Sequence, residues 1–215
     1  ALASGGAASL NMAYESELDR QMGRTKNRPV AEGRISARSA VLFGIALNVA
    51  AFIVLVLLTN VLAASLALAG TALYFGLYTV ILKRTTTQNI VVGGAAGAVP
   101  PLVGYAAAAG TVDLSAWYLF VIIFFWTPPH FWALALFVQS DYAKVGIPMM
   151  PVVRGEKSTR RQIVAYCVAL VPVAVAPWAI GGTGPVYGIA ALALTLAFLA
   201  LSLPVGMREA KEGDG

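Results

Sequence analysis

Apolar residues run along this chain in long unbroken blocks, without the alternation of a half-buried strand or the single stripe of a surface helix. A helix needs about 20 predominantly apolar residues to cross about 30 Å of hydrocarbon. Six blocks meet that requirement, at approximately 39–59, 61–81, 89–108, 115–138, 162–180 and 186–206. A seventh, partial block over residues 1–14 reads as the end of a helix that begins upstream. The breaks are Thr59-Asn60, the polar run Lys83 to Asn89, Gly110 to Ser115, a long loop from Gln139 to Arg161, and Gly181 to Pro185. The pattern predicts an all-α, polytopic transmembrane helical bundle with about seven spans. It reads as one domain over residues 1–215, truncated at both ends. A membrane β-barrel would require alternating segments, and these blocks are continuous.

Composition sharpens this picture. The 215 residues are 59% hydrophobic and only 12% charged, with a mean hydropathy of +0.76, against about 25% charged in a soluble domain. The single cysteine, Cys167, sits in an apolar stretch. A disulfide framework, a cysteine metal site and haem attachment through Cys-x-x-Cys-His are therefore excluded. The net charge of +5 would suggest nucleic acid in a soluble protein. Here its distribution excludes that reading, because all fifteen basic residues fall in alternate connections. They lie in loops at about 19–38, 82–88 and 139–161 and in the tail, at Arg208 and Lys211. The intervening connections carry one charge, Asp113. Such alternation places the basic loops in the cytoplasm of a multi-pass protein of the cell (inner) membrane. The chain start shows no positive segment followed by an apolar core and cleavage site, so no signal peptide is read there. Nine of the ten carboxylates share the basic face, which the orientation rule does not require. A site for a metal and a phosphate needs both signs of charge together; solvated loop surface is the plainer alternative.

Three constellations carry chemistry. Asn11, Glu15 and Asp19 are spaced i, i+4, i+8 and share one face of a helix ending at the basic border. Oxygen-bearing side chains without His or Cys suit a hard cation such as Mg²⁺, which keeps waters and binds through one or two carboxylates plus substrate phosphates. An ordinary acidic helix end would look the same from spacing alone. Glu17 points away, toward solvent or a basic neighbour. Immediately beyond come Arg20, Arg24, Lys26 and Arg28. Guanidinium forks beside acidic ligands suit a diphosphate held between metal and cations; a positive-inside anchor explains the bases but not the acidic stripe. The second constellation is Ser140 to Pro151, where Asp141 opens a loop with a Pro-Met-Met-Pro core. That core predicts a structured cap, and Asp141 either adds a metal ligand or pairs with Lys144.

The third is Trp126-Thr127-Pro128-Pro129-His130-Phe131-Trp132, inside a predicted span. Two prolines break the backbone ladder, which is tolerated where the freed groups are buried in protein or line a cavity. His130 is the only histidine, and an ionisable side chain at membrane depth points to function. A base, a substrate hydrogen bond, an axial haem contact and a bond to a freed carbonyl all remain open. The small-residue segment Gln88 to Pro101 fits close helix packing and leaves room for a bulky ligand. No strand precedes its glycines and no Gly-Lys-Ser/Thr follows, so it is not a nucleotide loop.

Taken in order, Asn11 to Pro29, Tyr78-Thr79 with Leu82-Lys83-Arg84, Gln88 to Pro101, Trp126 to Leu134 and Asp141 to Gly155 resemble the haem O synthases. These are the protohaem IX farnesyltransferases of the UbiA-type intramembrane prenyltransferase superfamily. The resemblance implies nine spans around a central cavity open to the cytoplasm, of which this chain lacks the first and last. It implies farnesyl transfer from farnesyl diphosphate to a vinyl group of haem b, with Mg²⁺ assisting diphosphate departure. Asn11, Glu15, Asp19 and Asp141 would hold the metal, and Arg24, Lys26, Arg28, Lys83 and Arg84 the diphosphate. Tyr78, Trp126, His130 and Tyr142 would line the haem or prenyl pocket. Haem A synthase or terminal oxidase assembly factors would be partners besides the bilayer. Glu15 stands where the family motif has Asp. Phe137 and Val145 flank Asp141 where the wider superfamily often carries a second aspartate, which leaves a second Mg²⁺ in question. Three rivals stand beside this reading: a sibling prenyltransferase with an aromatic or chlorophyllide acceptor, a transporter, and a haem-binding membrane subunit. A transporter predicts ion sites at the midplane, whereas these acids sit at the border.

Overall fold

The computed structural model describes residues 1–207; the tail bases Arg208 and Lys211 lie outside the described residues. Among the described residues every regular element is helical. The helices are α1 (Leu2–Tyr14), α2 (Ser16–Gln21), α3 (Ala37–Leu58) and α4 (Val61–Thr85). They continue as α5 (Asn89–Ala109), α6 (Leu114–Phe137), α7 (Gln139–Lys144), α8 (Met150–Ala179) and α9 (Pro185–Met207). Six of them, α3, α4, α5, α6, α8 and α9, are long and apolar enough to cross a membrane. The chain is an integral membrane protein. Each long helix packs on its neighbour in sequence, from α1 on α3 through to α9 on α8. Short connections between packed neighbours make successive spans antiparallel, so the three basic loops gather at one end.

Helix packing here is inverted relative to a soluble protein. In α3 the buried positions are Ala40, Gly44, Asn48 and Ala51, while Leu42, Phe43, Ile45, Val49, Ile53 and Leu57 are exposed. Lipid tails are as apolar as leucine, so nothing drives large apolar side chains inward; helices associate through close backbone approach and interhelical hydrogen bonds. Gly6 and Gly44 are the contact point of α1 and α3. A Cβ on either would come within 3 Å of the other's carbonyl oxygen, at 2.7 and 2.9 Å. Beside them Asn48 donates to the Gly44 carbonyl at 2.9 Å and accepts from the Thr71 hydroxyl at 2.7 Å, which ties α4 to the same seam. On the α5 side, Gly93 lies against the Tyr78 ring and Gly94 against Thr127. Gly97 has open space where a side chain would stand. The small-residue segment thus serves both packing and room.

Short polar caps close the end opposite the basic loops. Asn60 accepts from the Ala63 amide at 2.9 Å and donates to the Ala106 carbonyl at 2.7 Å. Asp113 caps α6 through the Ser115 amide at 2.9 Å and accepts from the Tyr105 hydroxyl at 2.6 Å. That hydroxyl holds the Asp113 carboxyl below the usual carboxylate range. The lone charge on this side therefore has a capping role.

Three features refine the sequence expectation. First, α8 starts at Met150, well before residue 162, because its first part is polar helix beyond the apolar run. Gly155 kinks it at φ 76°, a conformation glycine adopts freely, and the Thr159 hydroxyl returns to the Gly155 carbonyl at 2.9 Å. The Pro-Met-Met-Pro segment is a structured cap as expected, with Met149 and Met150 buried. Second, α6 runs through Pro128 and Pro129 without a break, both prolines being fully buried. The Thr127 hydroxyl donates to the Ile123 carbonyl at 2.7 Å near the missing backbone donors. Third, Ala72–Leu82 within α4 is wound as a π-helix, with i→i+5 hydrogen bonding.

The Gly6–Gly44 seam has a direct test. Gly6→Val should destabilise the protein by about 1–3 kcal/mol through overpacking, seen as a lower melting temperature in detergent. Gly104→Ala, where a Cβ meets open space, should leave the melt unchanged.

Candidate active site

The acidic stripe survives a break in the helix that carries it. Helix α1 ends at Tyr14 and α2 begins at Ser16, yet the Glu15 amide still reaches the Asn11 carbonyl at 2.9 Å and the Asp19 amide the Glu15 carbonyl at 2.8 Å. Asn11, Glu15 and Asp19 therefore stay on one side, and all three are buried, at 6%, 2% and 3% exposure. Glu17 points away and pairs with Arg20 at 2.7 Å.

Buried carboxylates need partners, and each has one. Lys83 places its Nζ 2.7 and 2.5 Å from the two Glu15 oxygens, and Asn11 donates to Glu15 Oε2 at 3.0 Å. Arg28 Nη1 donates to both Asp19 oxygens at 3.1 and 2.9 Å. The π-wound segment of α4 explains how Lys83 arrives. In an α-helix of 3.6 residues per turn, Tyr74 and Lys83 would stand two and a half turns apart, on opposite faces. Each π turn takes about one residue more, so the same interval closes about two turns and brings Tyr74, Tyr78 and Lys83 to one face. The bond from the Thr79 hydroxyl to the Tyr74 carbonyl, 3.0 Å long and spanning five residues, belongs to this winding. Thr79, fully buried, also accepts from Asn11 at 3.1 Å, which locks α1 to α4 at the stripe.

These groups line a cavity of about 330 Å³ between α1, α2, α4, α5 and α6. Asn11, Glu15, Asp19, Arg24, Arg28 and Lys83 supply its polar lining, and Tyr74, Tyr78, Thr127, Phe131 and Tyr142 are among the residues that complete it. Arg24 donates to the Tyr142 hydroxyl at 2.7 Å and carries its guanidinium 5.0 Å from the Tyr142 ring centre. Burial pushes the Tyr142 phenol above its ordinary value, so it stays un-ionised as the acceptor for Arg24. A second, largely apolar cavity of about 750 Å³ lies between α1, α3, α4 and α5. The two meet at Tyr74 and Gly97, which line both.

Other sequence candidates stand apart from this cavity. Asp141 lies against Gly23, where a Cβ would be 3.7 Å from its Oδ2, and pairs loosely with Lys144 at 3.8 Å. Lys26 is exposed, and Arg84 lies over the Tyr14 ring at 5.0 Å. Trp126 and His130 stack on each other, with centroids 4.3 Å apart and planes at 19°, on the flank of α6 beside the lining residues Thr127 and Phe131. Among the described residues His130 has no hydrogen bond to a carbonyl freed by the prolines. Sequence reasoning missed Tyr74, Thr79 and Thr127. Tyr74 was within reach, one turn before Tyr78; Thr79 was not, because its inward direction depends on π winding.

The donor set suits a hard divalent cation. Asn11, Glu15 and Asp19 offer only oxygen, and among the described residues no three His, Cys, Asp or Glu side chains form a metal site alone. Such an ion would need ligands from waters and a bound phosphate, as Mg²⁺ typically does.

The described residues form a polytopic helical bundle in which buried acids and cations line one cavity, and that cavity shares Tyr74 and Gly97 with a largely apolar one. The chain belongs to the UbiA prenyltransferase family, whose model matches residues 1–212. It is 54% identical over 214 residues to a protein named protoheme IX farnesyltransferase from Erythrobacter litoralis, covering 100% of this chain and 70% of that one. To the protein of that name from Novosphingobium aromaticivorans it is 53% identical over 215 residues, covering 100% and 71%. To that from Rhizorhabdus wittichii it is 51% identical over 211 residues, covering 98% and 70%. No solved structure matches the chain.

The buried ion pair sets a stability expectation. Lys83→Met leaves the Glu15 charge unpaired and should cost about 3–5 kcal/mol, measured by thermal or denaturant unfolding in detergent. Adding Glu15→Gln should recover most of that loss, because no buried charge is then left alone.

Proposed function

We propose that this protein transfers the farnesyl group of farnesyl diphosphate to a vinyl group of haem b. Water adds at the same vinyl group to complete the hydroxyethylfarnesyl substituent of haem O, and diphosphate leaves. One observation carries the reading: chain-long identity of about half to proteins named protoheme IX farnesyltransferase. The cavity supplies the chemistry that the reaction needs. Residues 1–215 act as one transmembrane prenyltransferase domain in the cell (inner) membrane, with the basic loops cytoplasmic.

Asn11, Glu15 and Asp19 would hold Mg²⁺, which would supply Lewis-acid stabilisation of the diphosphate leaving group. Arg24, Arg28 and Lys83 neutralise the charge that develops on the diphosphate as the allylic C–O bond breaks. Fixed cations stabilise that charge more in the transition state than in the ground state. Tyr74, Tyr78 and Tyr142 present aromatic rings to the allylic cation, whose positive charge the ring faces favour. Lys26, Arg84 and Lys144 enlarge the positive field that draws polyanions to the cavity. Asp141 lies near Gly23, the residue before Arg24, and adds a carboxylate beside the cavity. The flat Trp126–His130 stack, partly exposed on α6, is the surface against which a porphyrin would lie, next to Phe131 of the cavity.

Asp19→Ala should abolish prenyl transfer in a single-turnover assay with haem b, farnesyl diphosphate and Mg²⁺, followed by porphyrin mass. Normal turnover would remove Asp19 from the site. His130→Ala should alter the absorption spectrum of the haem-loaded protein; an unchanged spectrum would separate His130 from the porphyrin.

A further inference from the structure

Each carboxylate of the cavity is already paired with a cation of the same cavity. Both Glu15 oxygens face the Lys83 ammonium, and both Asp19 oxygens face one Arg28 nitrogen. These carboxylates are the ones that would ligate a divalent ion, and these cations are the ones that would meet a diphosphate. One set of contacts cannot serve both purposes at once. With Arg24, three cations face two carboxylates around the cavity, so the wall is already positive before any ligand enters. A divalent ion arriving alone would have to displace an ammonium from a carboxylate 2% exposed and raise the positive charge further. A diphosphate arriving alone would strip cations from buried carboxylates and leave those unpaired, which is costly. Arriving together, each ligand accepts what the other displaces: the metal takes the carboxylates, and the diphosphate takes the freed Lys83 and Arg28.

We propose that Lys83 and Arg28 are exchangeable placeholders on Glu15 and Asp19, so that divalent metal and diphosphate bind this cavity only as a pair. The proposal rests on the metal-diphosphate reading of the site and adds the order in which the ligands enter. Lys83 is suited to exchange because its ammonium is a point charge on a flexible stem, anchored on the cavity face by the π-wound turn. Arg28 has one nitrogen engaged on Asp19 and its side chain 35% exposed, so it has donors left for a second anion.

The experiment uses the detergent-solubilised chain, with Mn²⁺ followed by electron paramagnetic resonance and inorganic diphosphate as the probe anion. For the wild type, Mn²⁺ alone should bind weakly, and diphosphate should tighten binding by about tenfold or more. In Lys83→Met, Mn²⁺ alone should bind about tenfold more tightly than to the wild type, and diphosphate should add less. The same metal should raise the melting temperature of Lys83→Met while leaving that of the wild type unmoved, because the ion replaces the lost ammonium. Arg28→Gln, where the carboxylate keeps a hydrogen-bond donor, repeats the comparison at Asp19 should Lys83→Met not fold. Equal Mn²⁺ affinity in the wild type and both variants would overturn the exchange while leaving the metal site intact. No Mn²⁺ binding under any condition, diphosphate included, would instead overturn the site reading itself.

Discussion

In hydrocarbon no hydrophobic force separates one helix face from another, and the rest of this structure depends on that constraint. The helices are sorted by how closely two backbones can approach and by where a polar group finds a partner. Gly6 against Gly44 brings α1 onto α3, and the Asn48–Thr71 bond attaches α4 to the pair. With α1 seated, its polar end has one place to go. Asn11, Glu15 and Asp19 enter the protein, and the low-polarity surroundings make their pairing with Lys83 and Arg28 obligatory rather than optional. The charged cavity is thus a consequence of small-residue packing several turns away.

The π-wound part of α4 makes the same point from the other side. An apolar span needs no particular winding to satisfy lipid, so the departure from α geometry answers to the site. π-turns are frequent where helices carry function, and this one delivers two tyrosine rings and a lysine to one wall. Tyr78 can press against α5 only because residue 93 is glycine. The winding of one helix and the composition of the next are fitted to each other.

Most of the fold was legible in the residues, because span length and loop charge are counted properties. The acidic stripe was legible too, since i, i+4, i+8 spacing is local and survives the break at Glu15. What depends on a second helix was not. Lys83 and Arg84 read alike from the sequence as diphosphate bases, and π winding turns only Lys83 onto Glu15. Arg24, Lys26 and Arg28 look alike in the sequence, yet Lys26 stays in solvent while its neighbours line the cavity. Proline signals a break, but Pro128 and Pro129 are accommodated because protein surrounds them. The helical start of α8 was hidden because a polar helix leaving the bilayer has no apolar run to announce it.

The two cavities that meet at Tyr74 and Gly97 have a kinetic corollary. A molecule with a charged head and a long apolar tail dissolves in the bilayer, and it can occupy such a site without ever passing through bulk water. Its effective concentration is then a mole fraction in the lipid, set by membrane area rather than by solution volume. Diluting the vesicles would leave saturation unchanged, whereas diluting the substrate with inert lipid would lower it. For this protein the membrane is a reaction medium with its own concentration scale.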